Sequence, residues 1–146
     1  MKIQINQDSG ISETEITVNC NRLDGTIEKI ISMLRMLDYK LTGVKDKQTF
    51  VLDTKKVLYI ESVDKKTFLY TTEEVYESPL RLYELEEQLA AIDFLRANKS
   101  CIINFNQIKA LKADLDGKLL ITMNNNERLF VSRQYAPGFK EKLGVK

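Results

Sequence analysis

The sequence predicts an α+β fold that is mainly β, and three observations carry that prediction. Short apolar runs rich in β-branched and aromatic residues recur along the chain. In the C-terminal part, turn chemistry separates them about every 8–12 residues, the spacing of an antiparallel β domain. Only two segments, Ile27–Leu37 and Leu82–Leu89, show the apolar stripe of an amphipathic helix.

Residues 1–53 read as a small β-α-β unit. Ile3 and Ile5 alternate with polar residues, and Glu15-Ile16-Thr17-Val18-Asn19-Cys20 alternates again, so two short strands are expected. Asp24 suits a helix N-cap. Ile27, Ile30, Ile31, Leu34 and Leu37 then line one helical face. The helix is expected to end near Asp38–Tyr39, before Leu41-Thr42-Gly43, and a strand to cover Gln48 to Leu52.

From Lys56 the pattern changes. Val57 to Val63 is a buried-type strand, Asp64-Lys65-Lys66 a turn and Thr67 to Thr71 the returning strand of a hairpin, which Val75-Tyr76 continues. Ser78-Pro79 reads as N-cap and first position of a helix. Leu82, Leu85 and Leu89 form its apolar stripe, with Glu84, Glu86 and Glu87 on the wet side. After Phe94 to Ser100, strands are expected at Cys101–Phe105, Ile108–Ala113, Leu119–Met123 and Arg128–Ser132. Asp116-Gly117 and Asn124-Asn125-Asn126 supply the last two turns, and a short helix includes Gly138 to Leu143. No internal repeat, low-complexity segment or Pro-rich linker interrupts the chain, so the two parts, 1–53 and 54–146, are expected to pack together.

Composition narrows the function. The 146 residues, 43% hydrophobic and 29% charged, can bury a core and keep a solvated surface. No run approaches the ~18 apolar residues of a membrane span, and Met1 to Asn6 shows no signal stretch, so a cytoplasmic location is expected. Cys20 and Cys101 each sit in an apolar alternating stretch and are expected as reduced, buried thiols. The chain contains no histidine, which excludes imidazole acid–base chemistry and most zinc sites. It also lacks the glycine-rich phosphate and dinucleotide motifs. No metal or cofactor is expected, nor a small-molecule substrate. The Glu84, Glu86 and Glu87 cluster has no partner base or nucleophile, so the chain is not expected to be an enzyme.

Charge is unevenly distributed. Residues 1–53, 54–95 and 96–146 carry net charges of −1, −4 and +6, although the whole chain carries only +1. A basic C-terminal third can turn one surface toward a polyanion.

Three polar clusters stand at strand ends: Asp64-Lys65-Lys66, Arg96-Ala97-Asn98-Lys99-Ser100 and Ser132-Arg133-Gln134-Tyr135. Their side-chain types are those that read base edges and anchor phosphates. Each also has an ordinary structural alternative. Lys-Lys at a hairpin tip is a common solvated turn, Arg96 can pair with the acidic helix, and Arg133 can form an edge-strand ion pair.

The order of these elements resembles the LytTR family of bacterial DNA-binding domains. The resemblance lies in Leu58-Tyr59-Ile60-Glu61-Ser62, the hairpin, Leu82 to Leu89, Phe94 to Asn104, Ile108-Lys109-Ala110-Leu111 and Val131 to Tyr135. It covers about residues 54–146. It implies elongated, stacked antiparallel sheets with one or two short helices. It also implies that loops between strands, not a recognition helix, enter successive DNA grooves. By position, Arg133 would read bases and the hairpin around Lys65 and Lys66 would reach a neighbouring groove. Lys99 and Ser100, with Arg96 and Asn98 beside them, would hold the backbone and contribute some readout. Asn104, Phe94, Phe105 and Tyr59 match the pattern as core positions. Some members place a base-reading histidine in the hairpin, and this chain has none.

Many members carry a phosphorylated receiver domain, for which fifty-three residues are too few. Small stand-alone members are often controlled by a membrane-protein partner, and the resemblance leaves such a regulator open here. The Ile27–Leu37 stripe is a candidate homodimer contact, since promoter sites with direct or inverted repeats reward paired subunits; covering the edge of the β domain is the alternative. The competing function is a protein-interaction module that keeps the fold and binds an acidic partner protein.

Overall fold

The computed structural model describes residues 1–37 and 39–144, the side chains of Ser32, Arg35 and Met36 excepted. A seven-stranded antiparallel sheet forms its centre, with order β2-β1-β5-β4-β3-β7-β6. Its strands are β1 (Lys40–Lys45), β2 (Gln48–Asp53), β3 (Tyr59–Val63), β4 (Lys66–Tyr70), β5 (Val75–Ser78), β6 (Phe94–Asn98) and β7 (Cys101–Asn104). A second, three-stranded sheet contains β8 (Ile108–Ala113), β9 (Leu119–Met123) and β10 (Arg128–Val131). The helices are α1 (Gly25–Met36), α2 (Leu82–Leu89) and α3 (Ala136–Leu143).

The two-residue period of the strands divides the core into two layers. Tyr59 and Ile103 face the second sheet and α3, where they join Leu119, Ile121, Met123, Val131 and Phe139. Ile60 and Ile102, their chain neighbours, face the other way and pack with Leu69, Phe94 and the Leu82, Leu85 and Leu89 stripe of α2. Fully burying a side chain of this size is worth ~1.5–3 kcal/mol, so both faces of the central strands are strongly fixed. Asn104 lies in the core and satisfies its amide by donating to the Val57 carbonyl at 2.8 Å. Tyr59 stacks on Tyr70 with ring centroids 4.5 Å apart, and burial pushes its phenol well above the usual range.

Several expected elements differ. Residues 1–24 contain no strand: Ile3 and Ile5 are 81% and 87% exposed, and Ile16 and Val18 are exposed as well. Alternation alone does not make a strand, because the backbone groups need a neighbour to pair with. Among the described residues neither segment has one. The first 53 residues therefore contribute α1 and the β1–β2 hairpin, not a β-α-β unit. β1 pairs with β5 at Val44 and Glu77, so the central sheet runs across residue 53. Asp24 caps α1 as expected, its carboxylate accepting from the Ile27 N–H at 3.0 Å. The expected end of that helix at Asp38 lies outside the described residues. Cys20 is exposed rather than buried, whereas Cys101 is buried; both are free thiols.

Ser78 does not cap α2. It pairs with Thr67 in the sheet, and its hydroxyl accepts from the Leu80 N–H at 3.1 Å, which turns the chain out of β5. The helix starts three residues later, where the Glu84 carboxylate accepts from the Arg81 N–H. Val75–Ser78 is a separate strand that folds back on β4, not a continuation of it. Phe94–Asn98, for which the sequence names no separate element, is the edge strand β6.

Candidate nucleic-acid interface

Antiparallel register brings the polar clusters to one end of the two sheets. Glu61 stands opposite Cys101, so the β3–β4 turn and the β6–β7 turn leave the sheet side by side. The Ser62 N–H donates to the Ser100 carbonyl at 2.8 Å and fixes that adjacency. The end of β10 leans on the same turn. The Ser132 N–H donates to the Ala97 carbonyl at 2.9 Å, and Asn98 Nδ2 donates to the Phe130 carbonyl at 3.0 Å. Val131 stands opposite Leu119, so the β8–β9 turn, residues 114–118, projects from this end too.

Lys65, Lys66, Lys99, Ser100 and Arg133 are all exposed at this end. Asp64 and Lys65 both take left-handed backbone conformations, φ 50° and 68°, between the paired Val63 and Lys66. This is the two-residue hairpin turn whose twist matches that of the strands. Arg133 follows β10 in a short turn closed by the Tyr135 and Ala136 N–H groups, which both donate to the Ser132 carbonyl. Pro137 lies in the first turn of α3, which begins at Ala136 immediately afterwards, and the fully buried Phe139 anchors the helix. Arg133 thus extends from a backbone held on both sides.

Arg96 and Asn98 occupy a different position. The Arg96 Nε donates to the Asn98 carbonyl at 2.8 Å and Nη2 to the Lys99 carbonyl at 2.6 Å. Nη1 donates to Glu86 Oε1 of α2 at 3.1 Å, which is the pairing with the acidic helix that the sequence left open. Asn98 is buried, and its Oδ1 accepts from the Ser100 N–H at 2.9 Å. These two side chains shape the turn that presents Lys99 and Ser100. The thiol of Cys101, the next residue, is pushed up to about 12 by burial and, secondarily, by the Glu61 charge.

Two basic residues at this end were not anticipated. Arg81 Nη1 reaches the Lys65 carbonyl at 3.4 Å, because the pairing of Ser78 with Thr67 carries residues 79–81 to the hairpin tip. Lys118 in the β8–β9 turn stands 6.0 Å from the centre of the Phe130 ring. Neither is legible from local sequence, since both placements depend on strand register. The end carries Lys65, Lys66, Arg81, Lys99, Lys118 and Arg133 against Asp64, Asp114 and Asp116. The turns at the opposite end are mixed, with Asp46, Glu73, Glu74 and Glu127 beside Lys47, Lys55 and Lys56. One end of the sheets therefore offers a basic surface with hydrogen-bond donors on separate loops, suited to a polyanion.

No two consecutive helices form a helix-turn-helix among the described residues, since strands separate all three. No described helix is long and apolar enough to cross a membrane.

The model of the LytTr DNA-binding domain matches residues 47–144. A solved LytTr DNA-binding domain, from a Bacillus cereus protein described as a methyl-accepting/DNA response regulator, superposes with a TM-score of 0.68 at 34% identity. The match covers 73% of this chain and 97% of that one. Proteins named as uncharacterized HTH-type transcriptional regulators in Staphylococcus aureus strains NCTC 8325 and N315 are each 26% identical over 147 residues, covering 99% of both chains. With a family match over two thirds of its length, the basic loops at one end of its sheets and the solved fold it shares, this chain belongs to the LytTR family of DNA-binding domains.

Proposed function

We propose that this protein is a sequence-specific transcriptional regulator that inserts strand-connecting loops into successive grooves of double-stranded DNA. The observation that carries the reading is the gathering of Lys65, Lys66, Lys99, Ser100 and Arg133, all exposed, at one end of two hydrogen-bonded sheets. Arg133 reads base edges, where a bidentate guanidinium contact to guanine discriminates by ~1–3 kcal/mol. The hairpin with Lys65 and Lys66 reaches the neighbouring groove, and Lys99 and Ser100 hold phosphate. Arg96 and Asn98 contribute by fixing the loop that carries those two residues. The relatives named as transcriptional regulators support the regulatory role.

The segment ahead of β1, with α1, acts as a dimerisation or regulatory unit in the same proposal, because the expected boundary at residue 53 falls inside the central sheet of the DNA-binding domain. The apolar stripe of α1 supports this, because Ile27, Ile30, Ile31 and Leu34 are only half-buried and Leu37 is exposed. Two copies would then sit on direct or inverted promoter repeats. A membrane-protein partner supplying the signal and a cytoplasmic location belong to this proposal too. Sedimentation as a monomer at high concentration without DNA would count against the dimer.

The test is retardation of promoter fragments across a salt series. Binding should weaken with a log–log slope of about 0.9 per phosphate contact, and Lys99→Ala should lower that slope by about 1 on every sequence. A protein that retards no duplex yet captures an acidic protein would replace this reading with the interaction-module alternative.

A further inference from the structure

The β8–β9 turn bears directly on Arg133. Asp116 and Gly117 both adopt left-handed conformations, φ 60° and 77°, and the Lys118 N–H closes the turn on the Leu115 carbonyl at 3.2 Å. The Asp114 N–H donates to the Lys118 carbonyl at 2.8 Å, and the Asp114 carboxylate accepts from the Leu115 N–H at 2.8 Å. The turn is thus held from inside and from both flanks. The aliphatic stem of Arg133 lies across its glycine: a Cβ built on Gly117 would stand 3.0 Å from Cγ, 3.2 Å from Cδ and 3.8 Å from Cβ of Arg133. At 3.0 Å the arginine stem would have to shift. A side chain at residue 117 therefore pushes the stem by a few tenths of an ångström.

We propose that Gly117 is a positioning residue for DNA recognition: its bare backbone seats the Arg133 stem and so aims the guanidinium before DNA arrives. Arginine carries many rotamers, and one whose stem is already seated loses less freedom on forming its two base contacts. The left-handed turn alone would accept asparagine, the non-glycine residue most tolerant of positive φ. The close approach of the arginine means that an asparagine there has to move the stem. This inference rests on the base-reading role given to Arg133.

The test is a double-mutant cycle on full-length protein, with dissociation constants for a cognate and an unrelated duplex. The four proteins are wild type, Gly117→Asn, Arg133→Ala and the combination. Asparagine keeps the turn conformation accessible while placing a Cβ against the arginine. Gly117→Asn is expected to weaken cognate binding about three- to tenfold, leave the unrelated duplex unchanged, and add nothing when Arg133 is already alanine. Equal weakening with and without Arg133, or no weakening at all, would overturn the proposal. Wild-type affinity in Arg133→Ala would instead remove the base-reading role, and the proposal with it. Should Gly117→Asn not fold, relaxation of the arginine Nε–Hε groups in DNA-free wild type decides. Arg133 is expected to be more restricted than the exposed Arg22, and equal mobility would overturn the proposal.

Discussion

Asn98 in the central sheet donates from Nδ2 to the Phe130 carbonyl of the second sheet at 3.0 Å, and so ties the two sheets together at their basic end. Its other amide atom, Oδ1, accepts from the Ser100 N–H at 2.9 Å. One buried side chain thereby fixes the Lys99–Ser100 turn and the strand leading to Arg133 in a common frame.

Asn98→Ala should therefore act twice. It leaves the Phe130 carbonyl and the Ser100 N–H without partners, which should lower stability by ~1–3 kcal/mol in urea unfolding. DNA affinity should also fall at temperatures where the variant is fully folded, because two contact loops lose their shared reference. Unchanged affinity in the folded variant would show that the loops keep their places without this link.

Lys65 should show an opposition between stability and binding. It holds φ 68° at the second turn position, where glycine is strongly preferred, and a side chain there costs ~1 kcal/mol. Lys65→Gly should raise the denaturation midpoint and weaken DNA binding. Lys47 takes the same conformation, φ 65°, in the β1–β2 turn at the opposite end of the sheet. Lys47→Gly should stabilise by a similar amount and leave DNA binding alone, which separates turn chemistry from contact.

Much of this candidate surface was legible in the sequence. The hairpin tip, the Arg96–Ser100 segment and the Ser132–Tyr135 segment were visible because each interrupts a β-patterned run with base- or phosphate-binding side chains. The strands β3, β4, β8, β9 and β10 were visible for the same reason, their alternation being set by a core on one or both faces. What was not legible depends on pairing. Val75–Ser78 and Phe94–Asn98 become strands because β4 and β7 lie beside them, whereas Ile3–Ile5 and Glu15–Cys20 have the alternation and no hydrogen-bonded partner strand among the described residues. Arg96 looked like a contact residue from its composition; the acceptors that engage it, two turn carbonyls and Glu86, are set by tertiary geometry.

The cysteines offer a test of burial. Cys20 is exposed, and Cys101 is buried with its thiol pushed up to about 12. Titration with a thiol reagent at pH 7–8 should modify one cysteine in the native protein and both in denaturant. Cys20→Ser should abolish the native reaction. Rapid native modification of Cys101 would contradict the packing of β7 between its two core layers.

Acid should loosen α3 through Asp93. Burial pushes the Asp93 carboxyl up, but hydrogen bonds from Lys142 and Asn106 and the Lys142 charge outweigh it, so the group titrates below its usual value. A depressed folded value means that the stabilisation is complete above the unfolded value, about 3.9, and is lost as pH falls through the folded one. Urea midpoints of the wild type should drop across that interval, and those of Asp93→Asn should drop less. Parallel curves would show that this pair does not hold the helix.

The account stands most directly on Arg133. Dissociation constants should be measured for wild type and Arg133→Ala on a selected cognate duplex and on a scrambled duplex of equal length, at one salt concentration. The expected result is a loss of ~1–3 kcal/mol on the cognate duplex with the scrambled duplex unchanged, so that preference between them collapses. Equal affinities of the two proteins for both duplexes would contradict a recognition surface led by Arg133.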